Sequence, residues 1–486
     1  MVKEAAMHAN RDRQIGRIVI IGALSAIATL LANAGFAQPR VAPQGMEQVR
    51  LSFAPIVRNA SPAVVNIYSQ RVVRTQARSP FMSDPFFRRF FGGDLDNFFG
   101  MPQESVQRSL GSGVIVSADG VIVTNNHVID GFDEITVVLS DRREFEAEVL
   151  LADEQTDLAV LRIDPGDETL PHLEYANSDA AEVGDVVLAI GNPFGIGQTV
   201  TSGIISATAR TRVGVTDYGF FLQTDAAINP GNSGGALVDI DGRLLGVNSA
   251  IYSRSGGSNG VGFAIPANMV SRVVRSAVIG GELRRPWIGA DAQGVSADLA
   301  LSLALDRPVG ALVTEVFEGG PADRAGLREG DVILAINDFE VLDEQALRFR
   351  IATEEEGESV RIRFVRDGVE RSAAMRLALP PETPPRELTL LDGRQPFSGA
   401  EVGNLSPAFN EEQGRPLLEK GVVITRIDSR STAARLGWRV GDKIVAVNGR
   451  SIGSVSDLRD ATSREREVWD IIIERGGRRF RRQFRG

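Results

Sequence analysis

Residues Gly231-Asn232-Ser233-Gly234-Gly235 set a serine hydroxyl in a glycine frame, after Pro230 and before the apolar run Ala236-Leu237-Val238. A serine hydroxyl is a competent nucleophile only when a neighbouring base takes its proton. It also needs donors aimed at the oxygen that turns negative after attack. Glycines permit turns that point successive backbone N–H groups at one spot. The N–H groups of Gly231 and Ser233 are the expected donors. Asn-Pro-Gly-Asn is equally good chemistry for a plain turn, so the reading depends on a base and a carboxylate elsewhere.

Histidine is scarce, and the candidates for a base are His8, His127 and His172. His8 lies in an N-terminal stretch with the features of an export signal. His172, in Leu170-Pro171-His172-Leu173, reads as a surface residue in a loop. His127, in Thr124-Asn125-Asn126-His127-Val128, sits where a strand ends and a short turn begins, as on the rim of a barrel. Such a base needs an orienting carboxylate that fixes its tautomer. Asp157 opens the apolar run Leu158 to Ile163, where an unpaired carboxylate would be costly. Asp153, Asp179 and Asp225 are its rivals.

The elements that hold these groups are mostly strands. From Gly111 to Pro266 short apolar runs follow one another, divided by turn pairs such as Asp119-Gly120 and Asp241-Gly242. That pattern predicts closed barrels or a sandwich. One strand is expected over Phe145–Leu151. One amphipathic helix is expected over 266–281, with Met269, Val270, Val273, Val274 and Val278 along one side. Further on, Gly326 to Asn337 matches Gly437 to Asn448 at a constant offset of 111 residues, so two similar domains lie in tandem. The stretch Leu379-Pro380-Pro381-Glu382-Thr383-Pro384-Pro385 between them reads as a stiff linker. Seven phenylalanines between Phe81 and Phe99 mark a long loop without periodicity. It reads either as a disordered insertion or as an aromatic subunit contact, since so much exposed Phe does not stay solvated.

A chain of 486 residues predicts roughly three domains. With no cysteine, disulfides and thiolate metal sites are excluded. The net charge of −10 argues against a nucleic-acid partner, whose affinity rests on neutralising phosphates. The basic run Arg475 to Arg485 reads as a solvated strand edge. At the N-terminus, Arg11, Arg13 and Arg17 precede the apolar run Ile18 to Leu31 and small residues up to Ala37. This predicts a cleaved signal peptide over 1–37. The run is short for a membrane span; an uncleaved anchor at the membrane surface is the alternative. Removing residues 1–37, which carry a net +2, leaves −12.

The order His127, Asp157, Ser233, in T-N-N-H-V, T-D-L-A-V and G-N-S-G-G, resembles the HtrA (Deg/Do) family of trypsin-like serine proteases across nearly the whole mature chain. The resemblance implies a mostly β fold: two six-stranded barrels with the site between them, then two PDZ domains. It places the protease domain at 47–283, including the Phe-rich loop 71–107. The PDZ domains fall at 286–376 and 395–486, with the Pro-rich linker at 377–394. His127 would be general base then acid, Asp157 its orienter and Ser233 the nucleophile of an acyl-enzyme mechanism, with no metal or organic cofactor. Ile228 and Ile251 match pocket-lining positions. Ala227 stands where trypsin-like basic preference needs an acid, so cleavage after small aliphatic residues is expected. Trp287-Ile288-Gly289-Ala290 matches the turn that holds a peptide carboxylate in the first PDZ domain. Ser398-Gly399-Ala400-Glu401 is the nearest match in the second, where Glu401 adds charge against such a ligand. The resemblance further implies a periplasmic location and unfolded or misfolded polypeptide substrates. It also implies chaperone-like holding, C-terminal peptides at the first PDZ domain, and a homotrimer that forms larger cages.

Overall fold

A computed structural model of the protein describes residues 52–73, 105–192, 197–211, 220–229, 231–251, 259–280 and 283–485. The expected signal peptide and residues 74–104 of the Phe-rich segment lie outside the described residues. No described helix is long and apolar enough to cross a membrane.

Runs of Val, Ile and Leu with turn residues between them form two strand systems. The first holds β1 (Val64–Val73), β2 (Ser105–Ile115), β3 (Val121–Thr124), β4 (Glu134–Val138), β5 (Glu144–Glu146), β6 (Glu148–Asp153) and β7 (Leu158–Arg162). They pair in the order β5-β4-β1-β2-β3-β7-β6. Only Ala147 separates β5 from β6, so the two ends of this path are consecutive in the chain and the sheet curls round on itself. The single strand expected over Phe145–Leu151 is therefore two. A bend at Ala147 lets one segment pair with β4 at its start and β7 at its end. β1 and β2 pair as far as Val73 with Ser105, so residues 71–73 and 105–107 are the stem of a hairpin rather than loop.

The second system is a closed barrel of β8 (Val186–Gly191), β9 (Thr199–Arg210), β10 (Phe221–Thr224), β11 (Ala236–Val238), β12 (Leu244–Ile251) and β13 (Gly262–Pro266). Side chains such as Ile67, Ile122, Leu158 and Leu161 in the first barrel, and Leu188, Leu237 and Val247 in the second, are fully buried. The helix Ala267–Ile279 lies against the core through Met269, Val270, Val273, Val274 and Ala277. It ends at Gly280, whose φ of 77° suits a residue without Cβ. Val278, expected on the buried side, is 49 % exposed; the buried stripe runs through 270, 273, 274 and 277, and Val278 falls beside it.

The tandem repeat builds two further sheets. The first has β14 (Ala290–Gly294), β15 (Ala311–Val316), β16 (Val332–Ile336), β17 (Phe339–Glu340), β18 (Ser359–Arg366) and β19 (Val369–Arg376). The second has β20 (Thr389–Leu390), β21 (Ala400–Asn404), β22 (Val422–Ile427), β23 (Lys443–Val447), β24 (Arg450–Ser451), β25 (Val468–Arg475) and β26 (Arg478–Arg485). β20 lies within the stretch expected to be linker. The repeated Gly-Asp has a physical reason. Asp331 accepts from the Arg328 N–H and from two nitrogens of Arg366; Asp442 accepts from the Arg439 N–H and from two nitrogens of Arg475. Both carboxylates are buried. Each ties a turn to the strand end that faces it. The basic run reaches the edge as β26, which is almost wholly exposed.

The first repeat packs on the two strand systems that precede it through its helix Glu344–Ala352. Phe349 stacks on Phe220 with ring centroids 4.0 Å apart, and Arg350 pairs with Asp179. Replacing Asp442 by Ala strands the Arg475 guanidinium and the Arg439 N–H. The second repeat should lose about 2–3 kcal/mol, read by urea unfolding through Trp438 and Trp469, while the Asp442→Asn variant should lose less.

Candidate active site

His127 stands on a one-turn helix, Asn126–Ile129, directly after β3. Two neighbours turn inward: Val128 and Ile129 are buried. Val128 packs on Gly111, where any Cβ would come within 2.6 Å of it. The Ser69 hydroxyl donates to the Val128 carbonyl at 3.0 Å. This leaves the imidazole at the barrel rim, with its side chain 32 % exposed.

The His127 Nδ1 lies 2.9 Å from both carboxylate oxygens of Asp157. The His127 backbone N–H donates to Asp157 Oδ1 at 3.1 Å, and the Ser249 hydroxyl donates to Oδ2 at 2.9 Å. The Asp157 carbonyl accepts from the Asn126 N–H and from Asn125 Nδ2. Asp157 itself sits at φ 57°, a left-handed conformation that Asp tolerates better than most residues. The preceding turn is fixed by Asp153, which accepts from the Thr156 N–H and hydroxyl and from Arg285. The rivals for the orienting role are thus engaged elsewhere: Asp153 with Arg285, Asp179 with Arg350, and Asp225 with the Ile204 N–H. His172 is an exposed loop residue.

Ser233 reaches the same carboxylate through one intermediary. Its hydroxyl donates to the Ser249 carbonyl at 3.1 Å, and the Ser249 hydroxyl donates to Asp157. Ser249 is buried at the end of β12. The loop around Ser233 is clamped by the other barrel. The Ser112 N–H donates to the Ser233 carbonyl at 2.9 Å; the Ser112 hydroxyl donates to the Gly231 carbonyl at 2.6 Å and accepts from the Asn192 N–H at 2.8 Å. Gly234 is irreplaceable here: φ is 81°, and a Cβ would come within 2.1 Å of the Ser112 carbonyl oxygen. Among the described residues, neither the Gly231 nor the Ser233 N–H has an acceptor. Gly231 lies at φ 94°.

Ile228 is buried in the second barrel and packs on Gly262, where a Cβ would come within 2.8 Å of its Cδ1. The backbone of Ile251 ends β12; its side chain lies outside the described residues. In the first repeat, Trp287, Ile288 and Ala290 are buried and Gly289 has φ 75°. The Ile288 and Gly289 carbonyls are bonded inward, to the N–H groups of Ala322 and Phe317. The N–H groups of Ile288 and Gly289 have no acceptor among the described residues. Sequence reasoning missed Ser249, Ser112 and Arg285. No local signal marks any of them, because each acts on a residue more than 90 positions away.

Two barrels with this rim chemistry, followed by two strand-rich repeats, define a trypsin-like serine endopeptidase carrying PDZ domains. A trypsin-like peptidase domain matches residues 111–247, and a PDZ domain matches 312–366 and again 423–475. A Haemophilus influenzae protein named "Probable periplasmic serine protease do/HhoA-like" is 39% identical over 435 residues, covering 88% of this chain and 91% of that protein. A Marinomonas protein named "Probable periplasmic serine endoprotease DegP-like" is 41% identical over 415 residues, covering 84% and 87%. Among solved structures, the HtrA-type protease AlgW with a tripeptide superposes at TM-score 0.51 and 42% identity, over 68% of this chain and 98% of that one. AlgW with a decapeptide does so at 0.50 and 46%, over 68% and 99%. The chain belongs to the HtrA/DegP family of serine proteases.

Ser112→Ala removes the hydroxyl that joins Gly231 to Asn192 but keeps the N–H that holds Ser233. It should lower kcat/KM at least about tenfold through loss of two buried hydrogen bonds, to the Gly231 carbonyl and from the Asn192 N–H, with KM little changed and far-UV circular dichroism unaltered.

Proposed function

We propose that this protease acts in the periplasm, reached by a cleaved N-terminal signal, and cuts unfolded or misfolded polypeptides through a covalent acyl-enzyme. The observation that carries the site reading is the His127 Nδ1 set 2.9 Å from both oxygens of an Asp157 carboxylate that also bonds to Ser249, the residue holding the Ser233 hydroxyl. In this reading Ser233 Oγ rotates off the Ser249 carbonyl and gives its proton to His127 Nε2 as it attacks the peptide carbonyl. Asp157 stays ionised and stabilises the imidazolium. The N–H groups of Gly231 and Ser233 take the oxyanion. His127 then protonates the leaving amine, and a water repeats the sequence to release the acid and restore the serine.

Family resemblance assigns Ile228 and Ile251 to the pocket for the residue before the cut, and it puts the uncharged Ala227 at its base. Small aliphatic residues fit; Lys and Arg bring a charge with no partner. The unsatisfied N–H groups at Ile288 and Gly289 suit a peptide C-terminus added as a strand on β14. Family resemblance supports chaperone-like holding of clients, and assembly as a homotrimer and larger forms.

Burial pulls the His127 pKa down, but the charge and hydrogen bond of Asp157 outweigh it and the net shift is upward from 6.5. Only neutral imidazole accepts the serine proton, so kcat/KM should rise with pH along an acid limb centred above 6.5. Asp157→Asn should move that limb down and lower kcat by about 10⁴-fold. Ser233→Ala should abolish casein degradation and fluorophosphonate labelling with the fold intact; full turnover by that variant would overturn the assignment. Peptides released from casein should end mostly in Val or Ala, and a majority ending in Lys or Arg would contradict the pocket reading.

A further inference from the structure

The two PDZ domains share one frame, yet their sheet edges differ. Ser398 and Gly399 carbonyls are bonded inward, to the N–H groups of Ala433 and Asp428, as the Ile288 and Gly289 carbonyls are to Ala322 and Phe317. Gly399 has φ 83° beside 75° for Gly289. In the first domain, β14 ends its sheet and no described strand pairs with its outer edge. In the second, the corresponding strand β21 is covered by β20, with Thr389 opposite Val402 and Leu390 opposite Glu401.

The contacts continue past the two paired residues at both ends. The Asn404 N–H donates to the Arg386 carbonyl at 2.7 Å, and the Leu391 N–H donates to the Ala400 carbonyl at 2.8 Å. The Gly399 N–H, counterpart of the Gly289 N–H, donates to the Leu391 carbonyl at 2.7 Å. A carbonyl of the chain itself thus stands where a ligand's terminal carboxylate would be held. The Leu391 side chain is buried in the core of this domain with Phe397 and Val402, while Leu388 and Leu390 are exposed. Glu401 is not left as a bare charge beside this site, since Thr425 and Arg426 bond to it.

We infer that the second PDZ domain is a strand-binding site filled in cis by Arg386–Leu391, with Leu391 as the anchor. Its external ligand is an extended peptide ending in leucine, which enters only when this segment leaves. The inference uses strand addition as the binding mode and goes beyond the reading of the first domain. Only a few residues join Leu391 to Phe397, so the internal strand competes at an effective concentration on the order of millimolar. A free peptide at micromolar concentration therefore loses.

The test uses the full mature chain inactivated by Ser233→Ala, with Gly289→Val added to close the first domain. A fluorescent peptide Arg-Glu-Leu-Thr-Leu-Leu with a free C-terminus is titrated by anisotropy. Thr389→Pro breaks the pairing of β20, and Leu391→Ala weakens the anchor. Either variant should bind the peptide at least roughly tenfold more tightly than its parent. Hydrogen exchange should show the Gly399 and Asn404 amides protected in the parent and exposed in the variant that binds. Equal binding by parent and variants overturns the inference. So does fast exchange of both amides in the parent, absence of binding once they are exposed, or full protection persisting in both variants.

Discussion

A carboxylate nearly removed from water has to be met by donors, and Asp157 is met by three: the His127 ring, the His127 N–H and the Ser249 hydroxyl. That requirement organises the protease half of the molecule. It fixes which ring nitrogen of the imidazole, Nδ1, is turned to the carboxylate. It brings the end of β12, in the second barrel, against a turn of the first. Through the Ser249 carbonyl it also sets where the Ser233 hydroxyl rests. An ion pair of this kind contributes less to stability than to geometry, since desolvation cancels much of the attraction.

The loop around Ser233 is shaped by the opposite kind of constraint, an absence of room. Gly234 exists because the Ser112 carbonyl and Thr124 hydroxyl occupy the space of a side chain. Thr124 in turn donates to that carbonyl at 2.7 Å. Two strands of the first barrel, β2 through Ser112 and β3 through Thr124, therefore act as the mould in which the serine loop of the second is held. Ser112 holds the Gly231 and Ser233 carbonyls, while among the described residues the N–H groups of those two residues have no acceptor.

Much of this was legible in the sequence. Three histidines, a glycine-framed serine and an aspartate heading an apolar run narrow the chemistry sharply, and the constant offset of the repeat reveals the tandem domains. The misses share one cause. Ser249 and Ser112 are ordinary residues in ordinary strands, made important by approaches across 92 and 119 positions. The bend at Ala147 leaves no turn residue to read. The prolines before Arg386 dominate their neighbourhood, so Leu388-Thr389-Leu390-Leu391 reads as spacer although it forms the edge of a sheet. Val278 sits one position beyond the stripe that packing selects.

The buried pair between Arg285 and Asp153 bears on how the molecule can be dissected. Arg285 belongs to the segment leading into the first PDZ domain, while Asp153 closes the turn that presents Asp157. A fragment truncated after the helix Ala267–Ile279 would carry a carboxylate stripped of its counter-ion four residues from Asp157, the carboxylate that bonds His127. Reduced turnover in such a fragment would then report a damaged protease as much as a missing regulator. Boundaries drawn beyond residue 285 keep the two effects apart.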